Sequence, residues 1–322
     1  MKLSTFLKKK HNINILNKNL RIYINKISEN WIVDRQRNEF ISRNKKIVTN
    51  FQYNSNLIWI IAPWTWENIN KKHLKNKKVI CTIHHIDEYK LKDQINSFKK
   101  RDNYVDKYHV TNQGTKKQLQ KLTDKEIYVE PFWVNSKNWF EIEDKESLRK
   151  NYDIDNDAFI IGSFQRDSEG SNLSTPKLSK GPDQFIKILK LYKEEGKNIL
   201  VILSGKRRNY IINELKNLDI KYLYFEMVDL NKLNELYNLL DLYIVASRFE
   251  GGPQSIYECA LTKTPIISTN VGIANEILSD ESIFNMNEFS KASPNTKVAY
   301  NNVQKFIMDV SMPRFIKFME KI

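Results

Sequence analysis

The chain has 322 residues, 41% of them hydrophobic and 28% charged, with a formal net charge of +14. That length suits two domains of moderate size, and the apolar share supports packed cores, which excludes disorder over most of the chain. The basic excess points to an acidic partner, but a Lys-, Asn- and Ile-rich composition also arises from AT-rich genes, so charge alone leaves both readings open.

The two cysteines, Cys81 and Cys259, lie far apart. They form neither a disulfide framework nor a metal-type spacing, and a reducing cytoplasm is the expected setting. The first residues carry charges without a sustained apolar core, so no signal peptide is expected. No run of about 18 apolar residues suggests a membrane span.

In chain order, residues 20–24 read as a buried strand, and 30–40 places Trp31, Ile32, Arg35 and Phe40 at roughly helical spacing. Apolar runs at 57–62, stopped by Pro63, and at 79–83 read as strands. Two more follow at 108–111 and 127–129, with a helical stretch at 115–122 between them. Short apolar strands alternating with helices predict a parallel sheet covered on both faces. Residues 135–157 are polar and read as an inter-domain linker. The pattern then restarts, with strands at 159–163, 199–203, 222–225, 242–246 and 265–268. Helices are expected at 183–192, 230–239, 254–261 and from 274, and the tail 303–322 is amphipathic. The expected organisation is α/β, with one domain over 1–156 and a second over 157–302. The 303–322 helix is a candidate to pack back on the first.

The segment 241–276 carries the functional argument: DLYIVASRFEGGPQSIYECALTKTPIISTNVGIANE. A buried strand delivers the chain to Ser247, Arg248, Phe249 and Glu250. Gly251 and Gly252 allow a ligand close to the backbone, and Pro253 suits a helix start. Free N–H groups at that start, at the carboxyl end of a parallel strand, form an anion site, with phosphate the natural occupant. Glu258, eight residues beyond Glu250, suits two ribose hydroxyls rather than the diphosphate, which would repel it.

At this point the chain resembles the retaining glycosyltransferases called glycosyl transferases group 1, or family four. Ser247, Glu250, Gly251, Pro253, Glu258, Pro265 and Gly272 match the family pattern, while Lys263 and Ile273 stand where glycine is usual. Upstream, Arg166 follows the first strand of the second domain, and Lys180-Gly181 opens the next helix after an unusually long polar loop. In the first domain His84, with His85 as its neighbour, aligns with the family's histidine near the donor sugar. Asn112 replaces a serine, and Phe132 and Trp133 replace Asn and Gly at the inter-domain entry.

The resemblance implies the GT-B fold, two Rossmann-like doubly wound domains facing across a cleft, and transfer of a hexose with retention from a nucleotide-diphosphate sugar. It gives Arg166 and Lys180 the diphosphate, with Lys177 competing for that place. It sets Glu250 beside the transferred sugar, brings His84 from the first domain and gives Glu258 the ribose. The remaining donor-binding residues are then Gly251, Gly252, Pro253, Gln254, Ser255, Ile256 and Gly205. The departing phosphate helps deprotonate the acceptor hydroxyl. No cofactor beyond the donor and no metal is expected, and Asp153 and Asp155 read as a solvated loop.

The 205–208 stretch, Gly-Lys-Arg-Arg, reads as a surface loop near the donor. The acceptor side is expected to take a sugar or lipid-linked sugar in cell-surface polysaccharide or lipopolysaccharide synthesis. A cytoplasmic enzyme is expected, peripheral on an anionic membrane face through Lys8, Lys9, Lys10, Arg21, Arg35, Arg37 and Arg43. No nucleic-acid partner is expected. The alternatives are a GT-B protein that binds sugar nucleotides without transfer, a sugar-nucleotide epimerase, and a basic nucleic-acid-binding protein.

Overall fold

The computed structural model describes residues 20–29, 31–171 and 173–322. The chain divides into two compact units, one of residues 20–130 with 312–322, the other Pro131–Ser311.

The first unit is built on five strands: β1 (Ile22–Ile24), β2 (Leu57–Ile60), β3 (Lys78–Ile83), β4 (Lys107–Val110) and β5 (Ile127–Val129). They lie in chain order, all parallel. The continuous apolar runs follow from this placement, since a parallel strand is covered on both faces. Helices Ile32–Arg43, Lys71–Asn76, Leu91–Asp102 and Gln113–Leu119 make the crossovers. The chain end joins this unit: Phe315 lies 6.0 Å from Trp59, and Phe318 stacks on Tyr128 at 3.9 Å.

A polar chain runs through this core. Trp59 Nε1 donates to Thr82 Oγ1 at 2.8 Å, Thr82 Oγ1 sits 3.0 Å from His109 Nδ1, and His109 Nε2 is 2.7 Å from the Glu130 carbonyl. The carbonyl only accepts, so Nε2 carries the hydrogen and Nδ1 accepts from the threonine hydroxyl. That pattern needs a neutral ring.

The second unit has six parallel strands: β6 (Phe159–Ser163), β9 (Ile199–Ser204), β10 (Lys221–Phe225), β11 (Leu242–Val245), β12 (Ile266–Thr269) and β13 (Ile283–Phe284). Their order is β10-β9-β6-β11-β12-β13. The chain leaves β6 in one direction through β9 and β10, then returns to its other side through β11. The switch point therefore falls between β6 and β11, where open α/β sheets take ligands at the carboxyl ends. The long polar loop after β6 folds into a short antiparallel hairpin, β7 (Ser168–Glu169) with β8 (Thr175–Pro176).

Residues 135–157 are not a linker. Trp139 is buried against Tyr237 at 5.7 Å, and the helix Lys145–Asn151 is capped by Asp144. Asn234 and Asn238 of the helix Leu230–Leu239 accept from the backbone of Phe140 and Ile142 at 3.0 and 2.8 Å. The segment reads as polar because its attachment uses backbone and polar partners far along the chain. Among the described residues no helix is long and apolar enough to cross a membrane.

Burial pushes the His109 imidazole down to about 3, against the backbone bond to Glu130 that favours its charge. The unfolded ring titrates near 6.5. The neutral ring's contribution is thus fully present above about 6.5 and is lost as pH falls toward the folded value. Denaturant unfolding between pH 6.5 and 4 should lose about 3 kcal/mol from this group. His109→Gln should lower stability at pH 7 and flatten that slope; an unchanged slope would refute the assignment.

Candidate active site

The site is assembled by two loops that meet beyond the carboxyl ends of β6 and β11. One runs from Ser163 through the hairpin to the helix Pro182–Glu194; the other leads from β11 to the helix Gln254–Thr262. Their join is a backbone contact at Gly181. Its φ is +61°, and a Cβ there would fall 1.7 Å from the Ala246 carbonyl oxygen, so glycine is required twice over. The Ser179 carbonyl accepts from Arg248 N at 2.9 Å and Phe249 N at 3.1 Å. Gln184 Nε2 donates to the Ala246 carbonyl at 2.5 Å.

This zip brings side chains seventy positions apart together. Lys180 Nζ lies 2.5 Å from Glu250 Oε1, with side-chain exposures of only 18% and 8%. The Ser247 hydroxyl is 3.2 Å from Glu250 Oε1 and 3.3 Å from Gln165 Oε1. Gln165 Nε2 donates to the Lys180 carbonyl at 2.9 Å. Arg248 grips Asp183 with both terminal nitrogens at 2.7 and 2.6 Å. Burial pushes the Asp183 carboxyl up, but the Arg248 pair and backbone N–H bonds hold it below its ordinary value.

Behind the helix start, Gly272, with φ +59°, packs against the Gly251–Pro253 turn; a Cβ would meet the Gly251 oxygen at 2.8 Å. Pro253 precedes the first helical residue, Gln254. The Gln254 Nε2 atom is buried with no hydrogen-bond partner.

Glu258 is not a solvated acid: it is 4% exposed and accepts from Tyr237 OH at 2.6 Å. Burial and the neighbouring Glu258 charge push the Tyr237 phenol well up, so it stays a donor. Gly205 directly follows β9, and its carbonyl accepts from Tyr224 OH at 3.1 Å.

Lys180, rather than Lys177, reaches Glu250. Arg166 lies on the same loop between Gln165 and Asp167. His84 and His85 belong to the first unit, at the carboxyl end of β3. His84 Nε2 is 2.8 Å from the Ile61 carbonyl, so the hydrogen sits on Nε2, and Trp64 lies 5.8 Å from the ring. Asp153 and Asp155 line a hollow of about 570 Å³ at the amino ends of β6, β9 and β10, the opposite edge of the sheet from the site. Among the described residues no group of metal-binding side chains is present.

Arg208 corrects the sequence reading. It is 0% exposed, not part of a surface loop. A basic run gives no local sign of burial, because the carboxylate that receives Arg208, Asp167, comes from the loop after another strand. Gln165, Asp183 and Tyr237 were also outside the expected set, and only their tertiary partners reveal them.

Two Rossmann-like parallel sheets, of five and six strands, fit the GT-B architecture. Residues 144–316, more than half of the chain, match the family described as glycosyl transferases group 1. The chain belongs to that family and is a retaining nucleotide-sugar glycosyltransferase. The structure of Anabaena Alr3699/HepE in complex with UDP-glucose aligns with a TM-score of 0.69 at 13% identity, over 94% of this chain and 99% of that one. Sucrose-phosphate synthase from Thermosynechococcus elongatus gives 0.64 at 13% identity, over 92% and 80%. A glycosyltransferase from Rickettsia africae gives 0.57 at 17% identity, over 92% and 83%. Such identities speak for the fold. No curated protein matches the sequence significantly.

The Gly181 contact can be tested against an internal control. Gly196 also has positive φ, +79°, but nothing lies within 4 Å of a Cβ there. Gly196→Ala should cost about 1 kcal/mol of stability. Gly181→Ala should cost at least ~3 kcal/mol, because clash adds to strain. Equal shifts in thermal unfolding would refute the close approach.

Proposed function

We propose that the enzyme moves a hexose from a nucleotide-diphosphate sugar to an acceptor hydroxyl, with the second unit holding the donor. The observation that supports this most directly is the Lys180–Glu250 pair, set beside a glycine-lined helix start at the switch point. A lysine held by one carboxylate is exchangeable: a diphosphate carries more charge and competes for it. Glu250 is then released toward the transferred sugar. Arg166 shares the diphosphate, Glu258 takes the ribose, and Gly251, Gly252 and Pro253 with Gln254, Ser255 and Ile256 edge the donor. Gly205 lies on the nucleoside side. The unpaired Gln254 amide supports this reading, since a buried donor needs an acceptor.

As the anomeric C–O bond breaks, the leaving phosphate gains negative charge, which Lys180 and Arg166 stabilise. The same phosphate accepts the acceptor hydroxyl proton as the new C–O bond forms on that face. The products are a nucleoside diphosphate and a glycoside of unchanged anomeric configuration. His84 is the contribution of the first unit to the sugar. The complex of Alr3699/HepE with UDP-glucose makes UDP-hexoses the first donors to try.

The acceptor we propose is a sugar or lipid-linked sugar of cell-surface polysaccharide or lipopolysaccharide synthesis, met on the cytoplasmic side of an anionic membrane. The cations proposed from sequence divide. Lys8, Lys9 and Lys10 lie outside the described residues, and Arg37 is spent inside the unit, its Nε donating to the Asn25 carbonyl at 3.1 Å. An alternative basic face is exposed around the amino ends of β1, β2 and β3. It carries Arg21, Lys45, Lys46, Lys71, Lys72 and Lys75, with the aromatic pair Phe51 and Tyr53 5.4 Å apart. Asn70 N bonds Gln52 Oε1 at 3.0 Å and Lys77 Nζ bonds the Tyr53 carbonyl at 2.9 Å, which joins the two segments. Cations beside exposed rings suit acidic headgroups.

Thermal shift with UDP, GDP, ADP and their sugars should show stabilisation by one nucleoside-diphosphate series; no shift with any would remove the donor site. Arg166→Ala should cut turnover about a hundredfold or more while the protein stays folded, and ordinary turnover would refute its role. In vesicle sedimentation, the protein should bind phosphatidylglycerol vesicles and not neutral ones, and a Lys71→Glu, Lys72→Glu, Lys75→Glu variant should lose that binding. Equal binding to both vesicle types would remove the membrane face.

A further inference from the structure

We propose that Arg208 is a positioning residue for the transfer, one that fixes the main chain on both sides of Arg166 and so sets where that guanidinium meets the donor diphosphate. The proposal rests on the reading that Arg166 binds the diphosphate. Arg208 is wholly buried, and its contacts converge on the loop after β6. Its Nε lies 2.7 Å from Asp167 Oδ2. Its Nη1 donates to the Gln165 carbonyl and, at 3.3 Å, to the Ser204 carbonyl. Its Nη2 donates to Ser163 Oγ at 3.2 Å. The two residues flanking Arg166, Gln165 and Asp167, are thus tied to one guanidinium.

The neighbouring backbone repeats the tie. Asp167 N and Ser168 N donate to the Arg207 carbonyl at 3.2 and 3.1 Å, and Tyr210 N donates to Ser168 Oγ at 2.8 Å. Lys177 N donates to the Asp167 carbonyl at 2.7 Å, closing the base of the β7–β8 hairpin on the same anchor. The thirteen residues between Ser163 and Lys177 would otherwise leave Arg166 on a long, unanchored loop. A planar fork with several fixed donors is suited to hold such a loop; a lysine is not.

The ion pair is a poor stabiliser by itself. Burial raises the Asp167 carboxyl and lowers the Arg208 guanidinium, each partly countered by the other. Buried pairs often give no net stability over apolar replacements, so geometry is the better reason for keeping this one at the edge of an active site.

A double-mutant cycle tests the proposal by calorimetry, using the wild type, Arg208→Lys, Arg166→Ala and the double variant. The ligands are the nucleoside diphosphate that gives the largest thermal shift, UDP first, and the matching monophosphate. The ratio of their affinities reports the grip on the outer phosphate and is insensitive to a general loosening of the fold. Arg208→Lys should reduce the diphosphate preference about tenfold with monophosphate affinity unchanged. In the Arg166→Ala background it should change the ratio less than twofold. Equal losses in both backgrounds, or an unchanged ratio in Arg208→Lys, would overturn the positioning role while leaving Arg166 in place. An Arg166→Ala protein with the wild-type ratio would remove the diphosphate reading and the positioning with it. If Arg208→Lys does not fold, Asp167→Asn, which keeps the shape of the side chain, goes through the same cycle with the same outcomes.

Discussion

The site depends on one close approach of two backbones, the Gly181 segment against the carbonyl of Ala246. At that point a side chain of any size is excluded, since even a Cβ would overlap the oxygen. Because the loops touch there, the Ser179 carbonyl can accept two N–H groups from the residues after β11, and Lys180 can reach Glu250. Arg248 then closes the other side on Asp183. Each of these contacts is ordinary; their coincidence follows from the glycine.

The charges of the site are arranged around that contact with little access to water. Glu250 is nearly buried, yet its carboxylate is held by a lysine and lies within reach of a serine hydroxyl. Glu258 is buried and held by a tyrosine that burial keeps protonated. Acids held in defined partnerships of this kind keep a fixed geometry that water-exposed acids at the same positions would lack. The buried Arg208–Asp167 pair is another set of fixed partners, and its contacts fall on the end of β6 and the loop after it.

The two units differ in what their polar groups do. In the first, the Trp59–Thr82–His109–Glu130 chain satisfies buried donors and acceptors within a packed core. In the second, comparable groups lie at the carboxyl ends of β6 and β11, where the strand order reverses and leaves room. The hollow at the amino edge, lined by Tyr152 and Asp155, lies at the opposite ends of the strands from the switch point.

By itself the sequence determined the alternation of buried strands and helices, and it marked the segment from Ser247 to Gly272. Both are local signals: apolar runs of strand length, glycines, and a proline before a helix. It also marked Glu250 and Glu258 as candidates by residue type and spacing, and the family resemblance added Arg166. Only the tertiary structure decided that Lys180 rather than Lys177 meets Glu250, that Arg208 is buried, and that residues 135–157 fold onto the Leu230–Leu239 helix. Those outcomes are contacts between segments about forty to a hundred residues apart, and no periodicity along the chain records which carboxylate or carbonyl will stand opposite a given cation once the sheet has formed.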